Sequence, residues 1–166
     1  LKLENAHVCG LSMGGMIAQV MALEYPQRVT SLISMESSTG DPTLPPADPQ
    51  TMEAMLSPPP QDRAGYIQHA VEVFRAFSGG SDKFDETLEK ELSANSYDRS
   101  FYPAGFVRQL AAILASGDRT ESLASVTAPT LVIHGANDPL VPLAHGRATA
   151  RAIPGAKLVV IEGLGH

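Results

Sequence analysis

The stretch Gly10-Leu11-Ser12-Met13-Gly14-Gly15 determines how the rest of the chain is interpreted. An apolar run at 7–9 precedes it and can form a buried strand, and residues 16–23, which follow it, are rich in helix formers. Strand, sharp turn and helix are the context in which a Gly-x-Ser-x-Gly pattern exposes a serine nucleophile. We therefore predict that Ser12 is a nucleophile and that the Met13 N–H stabilises an oxyanion beside it. The structural alternative is a Gly-rich turn in which Ser12 only caps the helix.

Composition and charge limit the classes of protein to which the chain can belong. It has 166 residues, 43% of them hydrophobic and 18% charged, which is enough for one sizeable core. The net charge of −6 argues against nucleic acid or an anionic membrane surface as a partner. The single cysteine, Cys9, excludes an internal disulfide and is expected to be a buried thiol. Neither a long apolar run nor a signal peptide is visible, so we expect a cytoplasmic protein.

Both ends of the chain alternate between strands and helices. The predicted elements are strands over 6–10, 29–35, 130–134 and 157–161 and helices over 12–25 and 143–153. Short connections between the first strand, the first helix and the second strand imply parallel pairing with a right-handed crossover. Glycines at positions 10 and 14 are expected to avoid collisions where strand and helix approach each other. These features predict an α/β protein with a parallel sheet.

Residues 41–120 interrupt this alternation, and we predict that they form a helical cap. The first part of the segment is rich in proline and has room only for a short helix. The remainder has apolar residues at helical spacing and contains every phenylalanine of the chain. The predicted helices cover 50–56, 61–77, 85–95 and 104–115. We expect most of the aromatic side chains to form the core of this segment and a few to line a pocket over Ser12.

Two residues after later strands complete a catalytic set with Ser12. A serine hydroxyl needs a base to accept its proton, and the base needs an acid to orient it. Asp138 follows the third predicted strand and His166 follows the fourth. Because parallel strands present their carboxyl ends at one edge of the sheet, the three residues can meet there. We predict Ser12 as nucleophile, His166 as base and Asp138 as the orienting acid, in the order used by α/β-hydrolases.

Alternatives for the acid and the base stay open. Glu36 follows the second strand and could supply the acid, and Asp41 lies nearby in a flexible stretch. His134 could supply the base, although it precedes Asp138 and so breaks the usual order.

The other histidines and Glu162 are given structural roles. His69 and His145 lie on predicted helices and are expected to be exposed, and Glu162 is expected to support a turn. No group of histidines and cysteines has the spacing of a metal site, so we expect no metal and no cofactor.

Three motifs resemble those of the α/β-hydrolase family. They are Gly-Leu-Ser-Met-Gly-Gly at 10–15, Pro-Thr-Leu-Val-Ile-His-Gly-Ala-Asn-Asp-Pro at 129–139 and Gly-Leu-Gly-His at 163–166. The chain resembles the C-terminal portion of small carboxylesterases of the aclacinomycin methylesterase type, cofactor-free haloperoxidases and proline iminopeptidases. The resemblance implies a partial hydrolase core at 1–40 and 121–166, with about four strands and a helical cap inserted at 41–120. It also implies that the first four strands and a second oxyanion donor of the family are missing here.

These observations predict a serine hydrolase that cleaves small carboxylic esters through an acyl-enzyme. The alternatives are a haloperoxidase or perhydrolase, a proline iminopeptidase, and, from another class, an inactive fragment or a hydrolase-like binding module. A chain that begins at Leu1 is expected to be part of a longer polypeptide. We expect the isolated chain to self-associate or to pair with the missing N-terminal half, because the strand over 6–10 would have an unpaired edge.

Overall fold

The architecture is a parallel sheet, seen in a computed structural model that describes residues 3–166. The strands are β1 (Ala6–Leu11), β2 (Val29–Met35), β3 (Thr130–Gly135) and β4 (Lys157–Ile161). They are all parallel and lie in the order β1-β2-β3-β4. The parallel α/β core expected from the sequence is therefore confirmed. Because the strands are parallel, the residues that follow them, including Ser12, Glu36 and Asp138, leave the sheet at the same edge.

Helices in the alternating parts of the chain cover the sheet. Helix α1 (Met13–Glu24) crosses from β1 to β2 and ends before Pro26, as predicted. The principal core lies where α1 meets β2 and a short 3₁₀ turn at Ser122–Ser125. Its buried side chains are Ala18, Ala22, Val29, Leu32, Leu123, Val126 and Ile153. This core fixes α1, and with it the turn that carries Ser12, against the sheet.

Four helices lie between β2 and β3. They are α2 (Pro49–Leu56), α3 (Arg63–Phe77), α4 (Glu86–Arg99) and α5 (Pro103–Ser116). The carboxylates of Asp48, Asp62 and Asp85 cap the first three by accepting hydrogen bonds from backbone N–H groups. The last helix, α6 (Leu143–Ala152), connects β3 to β4.

The aromatic residues of the helical segment form less of a core than the sequence suggests. Tyr66, Tyr97 and Phe101 pack together with ring centroids 4.8 to 5.6 Å apart. Phe106, in contrast, lies on α5, a peripheral helix in which no residue is buried. The expectation that most aromatic side chains form the core of this segment is therefore met around Tyr66 and not at Phe106.

Strand β1 lies at an edge of the described sheet, and this position corrects the prediction for Cys9. The Cys9 side chain is exposed and not a buried thiol, because β1 has only β2 as a neighbour. Apolar side chains of β1, of α1 and of the residue that follows α1 are also exposed, among them Leu11, Ile17 and Tyr25 at 52% each. Within residues 3–166, none of the helices combines the length and the hydropathy that crossing a membrane requires.

Candidate active site

Ser12 occupies a strained turn between β1 and α1. Its backbone angles, φ 53° and ψ −120°, lie outside the regions that residues other than glycine ordinarily adopt. Its side chain makes no capping hydrogen bond to α1, which argues against the structural alternative of a helix-capping serine. The Ser12 N–H donates to the Met35 carbonyl oxygen at 2.9 Å, and the Ser37 hydroxyl donates to the Ser12 carbonyl oxygen at 2.8 Å. The end of β2 therefore holds the strained turn from both sides.

Two glycines allow this turn to close. A Cβ at Gly10 would overlap the carbonyl group of Gly14, and a Cβ at Gly15 would lie 2.6 Å from the Ser37 Cβ. The sequence predicts that Gly14, together with Gly10, avoids a collision between strand and helix, but a Cβ at Gly14 would meet nothing within 4 Å. That part of the prediction is wrong, because Gly15 and not Gly14 is the residue of α1 that faces β2 and the loop after it.

Asp138 and His166 form a hydrogen-bonded pair beyond the ends of β3 and β4. His166 Nδ1 lies 2.7 Å from Asp138 Oδ2, and the Asp138 side chain is fully buried. The other carboxylate oxygen, Oδ1, accepts hydrogen bonds from the N–H groups of Leu140 at 2.9 Å and Val141 at 2.7 Å. With Asp138 ionised, the imidazole proton lies on Nδ1, so Nε2 of the neutral ring presents a lone pair. This is the protonation state that a general base requires.

Glu36 is a third titratable side chain in the same cluster. One ligand atom each of Glu36, Asp138 and His166 lies within 4.8 Å of the other two. Burial raises the pKa of the Glu36 carboxyl, a protonated His166 ring opposes that rise and a negative charge on Asp138 adds to it. Glu36 also has a positive φ of 46°. Glu36, one alternative acid considered from the sequence, thus reaches the site. Asp41, the other alternative, instead accepts hydrogen bonds from the N–H and hydroxyl groups of Thr43.

The same three side chains are the group within residues 3–166 that could hold a metal ion. Spacing along the sequence did not indicate this group, because its members come from three different loops that meet only in the fold.

His134 is a structural residue, which corrects its alternative assignment as the base. Its side chain is completely buried, and burial lowers its pKa, so the ring is neutral. Nε2 donates to the Val141 carbonyl oxygen at 2.7 Å and lies 3.5 Å from Asp138 Oδ2. Nδ1 has no hydrogen-bond partner within the described part of the chain and packs against Gly146 of α6. Because its donor is engaged and its ring enclosed, His134 supports the loop that carries Asp138.

His145 also differs from its sequence-based description. It is half-buried, with Nδ1 2.8 Å from Ser38 Oγ and Nε2 2.9 Å from the Pro45 carbonyl oxygen. Since a carbonyl oxygen only accepts, Nε2 carries the proton and Nδ1 accepts from the Ser38 hydroxyl. His145 therefore ties α6 to the loop after β2. His69 is half-buried as well, and Glu162 is exposed beyond β4.

Arg119 is a buried residue that the sequence did not single out. Its guanidinium donates to Gln19 Oε1 at 3.4 Å, the Ser38 carbonyl oxygen at 3.0 Å and Ser116 Oγ at 2.8 Å. Its backbone N–H donates to the Thr39 carbonyl oxygen at 2.9 Å. Arg119 thus holds the loop after β2 from the side of the helical segment. No local pattern indicates this, because a lone arginine in a polar stretch resembles a surface residue.

Comparisons with known proteins identify the family. The family model described as alpha/beta hydrolase fold matches residues 1–166, so the chain belongs to the α/β-hydrolase fold family. This confirms the family that the three sequence motifs suggested.

Individual relatives include two curated enzymes and one solved structure. The chain is 32% identical over 167 residues to a 2-hydroxy-6-oxononadienedioate/2-hydroxy-6-oxononatrienedioate hydrolase of Cupriavidus pinatubonensis, covering 100% of this chain and 57% of that enzyme. It is 31% identical over 182 residues to a rhodomycin D methylesterase of Streptomyces peucetius, covering 97% of this chain and 60% of that enzyme. A meta-cleavage product hydrolase from Pseudomonas fluorescens IP01 superimposes with a TM-score of 0.74 at 26% identity, over 99% of this chain and 59% of that one. The chain thus spans about three-fifths of the length of these relatives.

Proposed function

We propose that the chain carries the catalytic triad of a serine hydrolase that cleaves small carboxylic esters. The observation that carries this proposal is the 2.7 Å contact between His166 Nδ1 and buried Asp138. It gives the imidazole the tautomer needed to accept a proton at Nε2. The strained Ser12 turn supports the role of Ser12 as nucleophile, because residues in strained backbone conformations cluster at active sites. An oriented acid–base pair is also more than a binding module would need.

The proposed reaction has two halves. Ser12 Oγ attacks the ester carbonyl carbon while His166 Nε2 takes the hydroxyl proton, and Asp138 stabilises the imidazolium that results. The tetrahedral intermediate then expels the alcohol, which receives the proton from His166 and leaves an acyl-serine. Water attacks the acyl carbon, again with its proton passing to His166, and the return of that proton to Ser12 Oγ releases the acid. In each half, His166 accepts one proton and returns it, so the enzyme gains and loses no net proton, and no cofactor takes part.

Stabilisation of the oxyanion is assigned to the backbone of Met13. The N–H groups of Gly15 and Met16 both donate to the Ser12 carbonyl oxygen. The Met13 N–H, in the first position of α1, is one of the donors that a helix leaves without an intrahelical partner. We further propose that residues 41–120 act as the cap over this site.

Hydrolysis of a carbon–carbon bond beside a ketone is the second candidate reaction. It is favoured by the similarity to the 2-hydroxy-6-oxononadienedioate hydrolase and by the fold shared with the meta-cleavage product hydrolase. The two candidates are separated by assaying p-nitrophenyl acetate and a 2-hydroxy-6-oxo-dienoate in parallel. Ester hydrolysis as the main activity requires the larger kcat/KM for the first substrate.

Replacement of the nucleophile tests the proposed mechanism. Ser12→Ala in the full-length protein should lower p-nitrophenyl acetate hydrolysis by about three or more orders of magnitude. A fluorophosphonate probe should label the unaltered protein on the peptide that contains Ser12 and should not label the variant. Ser96→Ala, an exposed serine of α4, is the matched control and should keep full activity. Near-normal turnover by a folded Ser12→Ala protein would exclude the serine mechanism.

The uncovered side of β1 leads to a proposal about partners. A cleft of about 410 Å³ lies there, lined by residues that include Leu3, Val8, Met21 and Tyr25. We propose that the isolated 166-residue chain covers this surface by self-association or by pairing with an N-terminal half. Sedimentation of the isolated chain should show oligomers. The family resemblance implies a second oxyanion donor in the N-terminal half, so ester hydrolysis by the isolated chain should be weak, because one such donor contributes about 3 kcal/mol. A stable and fully active monomer would contradict both parts.

A further inference from the structure

The C-terminal end of α3 is in direct contact with the loop that carries His166. The His166 N–H donates to the Phe77 carbonyl oxygen at 2.8 Å. The Phe77 ring meets the imidazole edge-to-face, with centroids 5.8 Å apart and planes at 84°. Phe77 of the helical segment and His166 beyond the end of β4, 89 positions apart in the sequence, therefore share a backbone hydrogen bond and a ring contact.

The two residues after Phe77 extend this contact. A Cβ added to Gly165 would overlap the backbone of Ser78 and the carbonyl oxygen of Phe77, and a Cβ added to Gly79 would overlap the carbonyl oxygen of Asn137. Three consecutive residues, Phe77 to Gly79, thus touch both loops that supply the acid and the base. We call Phe77–Gly79 the α3 clasp.

The clasp supplies a restraint that Asp138 alone does not. A single hydrogen bond from Nδ1 to Asp138 Oδ2 fixes one ring atom but leaves the ring free to turn about that contact. The Phe77 ring adds a second contact, nearly at a right angle to the imidazole, that opposes rotation of the ring about its bond to Cβ. A cleft of about 200 Å³, lined by His166 and by Ser78 of the clasp, opens beside the same contact.

We propose that Phe77 is a positioning residue for His166 and that the α3 clasp couples the helical segment to the orientation of the catalytic base. This inference rests on the proposed role of His166 as the base. Because the contact acts on the ring of His166, its loss should affect the chemical step more than substrate binding.

Removal of the aromatic ring tests the proposal in the full-length protein. Phe77→Leu should lower kcat for p-nitrophenyl acetate by about ten- to a hundredfold, since misplacement by about 1 Å can cost a hundredfold. KM should change much less than kcat. Phe77→Tyr keeps the ring and should retain most of the activity. Phe106→Leu makes the same change on peripheral α5 and is the matched control, expected to leave kcat unchanged.

A spectroscopic readout separates positioning from a general loss of structure. The proton between His166 Nδ1 and Asp138 should give an NMR resonance far downfield of the amide signals in the unaltered protein. Phe77→Leu should weaken or move this resonance while the melting profile stays cooperative, and Phe106→Leu should leave it in place. A folded Phe77→Leu protein with unchanged kcat, or with lowered kcat and an unchanged resonance, would overturn the proposal.

Failure of the serine mechanism would be recognised independently. An active Ser12→Ala protein would remove the proposed function, whereas the effect of Phe77→Leu on the downfield resonance would still report on the clasp. Conversely, if the Ser12→Ala variant is inactive and the separate Phe77→Leu variant is fully active, the serine-hydrolase mechanism stands and the positioning role of Phe77 is excluded.

Discussion

The loops after β2 and β3 each bring a buried carboxyl group to His166, but they surround it differently. Asp138, 5% exposed, accepts two backbone hydrogen bonds on Oδ1 and faces the imidazole on Oδ2. Glu36 is 7% exposed, and burial raises its pKa. Within residues 3–166, no hydrogen-bond donor lowers the pKa of Glu36 in return. Similar burial combined with different hydrogen bonding gives the two acids different chemistry. The two backbone donors hold the Asp138 carboxyl in one orientation, which is what an orienting acid requires.

The largest expected effect comes from testing which acid orients the base. Asp138→Asn in the full-length protein should lower kcat by about 10⁴-fold, because an amide favours the wrong imidazole tautomer and cannot stabilise the imidazolium. Glu36→Gln should lower kcat far less. Ester hydrolysis measured for the two variants side by side decides the ranking, and a reversed ranking would move the acid to the loop after β2.

A double variant shows whether Glu36 replaces a missing Asp138. If Glu36 does not replace Asp138, the variant that combines Asp138→Asn with Glu36→Gln should fall below Asp138→Asn only by the small factor that Glu36→Gln costs by itself, because uncoupled effects add in free energy. The residual rate of ester hydrolysis is the measurement. A further drop of about tenfold would mean that Glu36 supports the imidazolium when Asp138 cannot.

A smaller effect is expected from the residue that supports the Asp138 loop. His134→Leu removes the donor to the Val141 carbonyl oxygen and should lower the free energy of unfolding by about 1–3 kcal/mol. His134→Gln can place an N–H donor in the same region and should lose clearly less. Urea denaturation of both variants measures the difference. Equal losses for Leu and Gln would show that ring packing, and not the hydrogen bond, is what stabilises the loop.

The smallest effect concerns the stability contributed by Glu36. A carboxyl whose pKa is raised in the folded protein binds its proton more tightly there than in the unfolded chain. It therefore costs nothing at a pH below its ordinary pKa of 4.5, and the cost grows as the pH rises from that value to the raised pKa, above which the cost stays constant. Glu36→Gln should melt at a higher temperature than the unaltered chain near neutral pH and at a similar temperature near pH 4.

Glu24→Gln is the control for this measurement. Glu24 is exposed at the end of α1, so removal of its charge should produce no comparable gain that grows with pH. A Glu36→Gln gain that is the same at pH 4 and at neutral pH would show that the cost of Glu36 is steric and not electrostatic.

Secondary structure and family could be predicted because they depend on local patterns. The β-branched run Val29–Met35 and the buried run Thr130–Gly135 are strands, and Pro26 ends α1 at the expected place. The Gly-x-Ser-x-Gly turn forms between β1 and α1, with Ser12 at a positive φ. Each of these depends on the conformational preferences of neighbouring residues, which a sequence shows directly.

Wrong or incomplete predictions concern side chains whose surroundings come from elsewhere in the chain. His134 was an alternative base, disfavoured because it precedes Asp138, and in the structure its ring is enclosed and its Nε2 contacts the Val141 carbonyl oxygen. Cys9 resembled a core residue in an apolar run but lies on the uncovered β1. His145 resembled a surface residue, yet the loop after β2 folds back onto it.

The sequence by itself therefore determined the parallel α/β pattern and the turn at Ser12. It also placed Ser12, Asp138 and His166 in local motifs that each follow a strand, because such motifs depend on neighbouring residues. Only the tertiary structure decided that Glu36 shares a cluster with Asp138 and His166, and that Phe77 contacts the imidazole. The physical reason is that hydrogen-bond partners, burial and ring contacts depend on distances in space. Segments far apart in the chain set those distances only after the sheet has brought their ends to one edge.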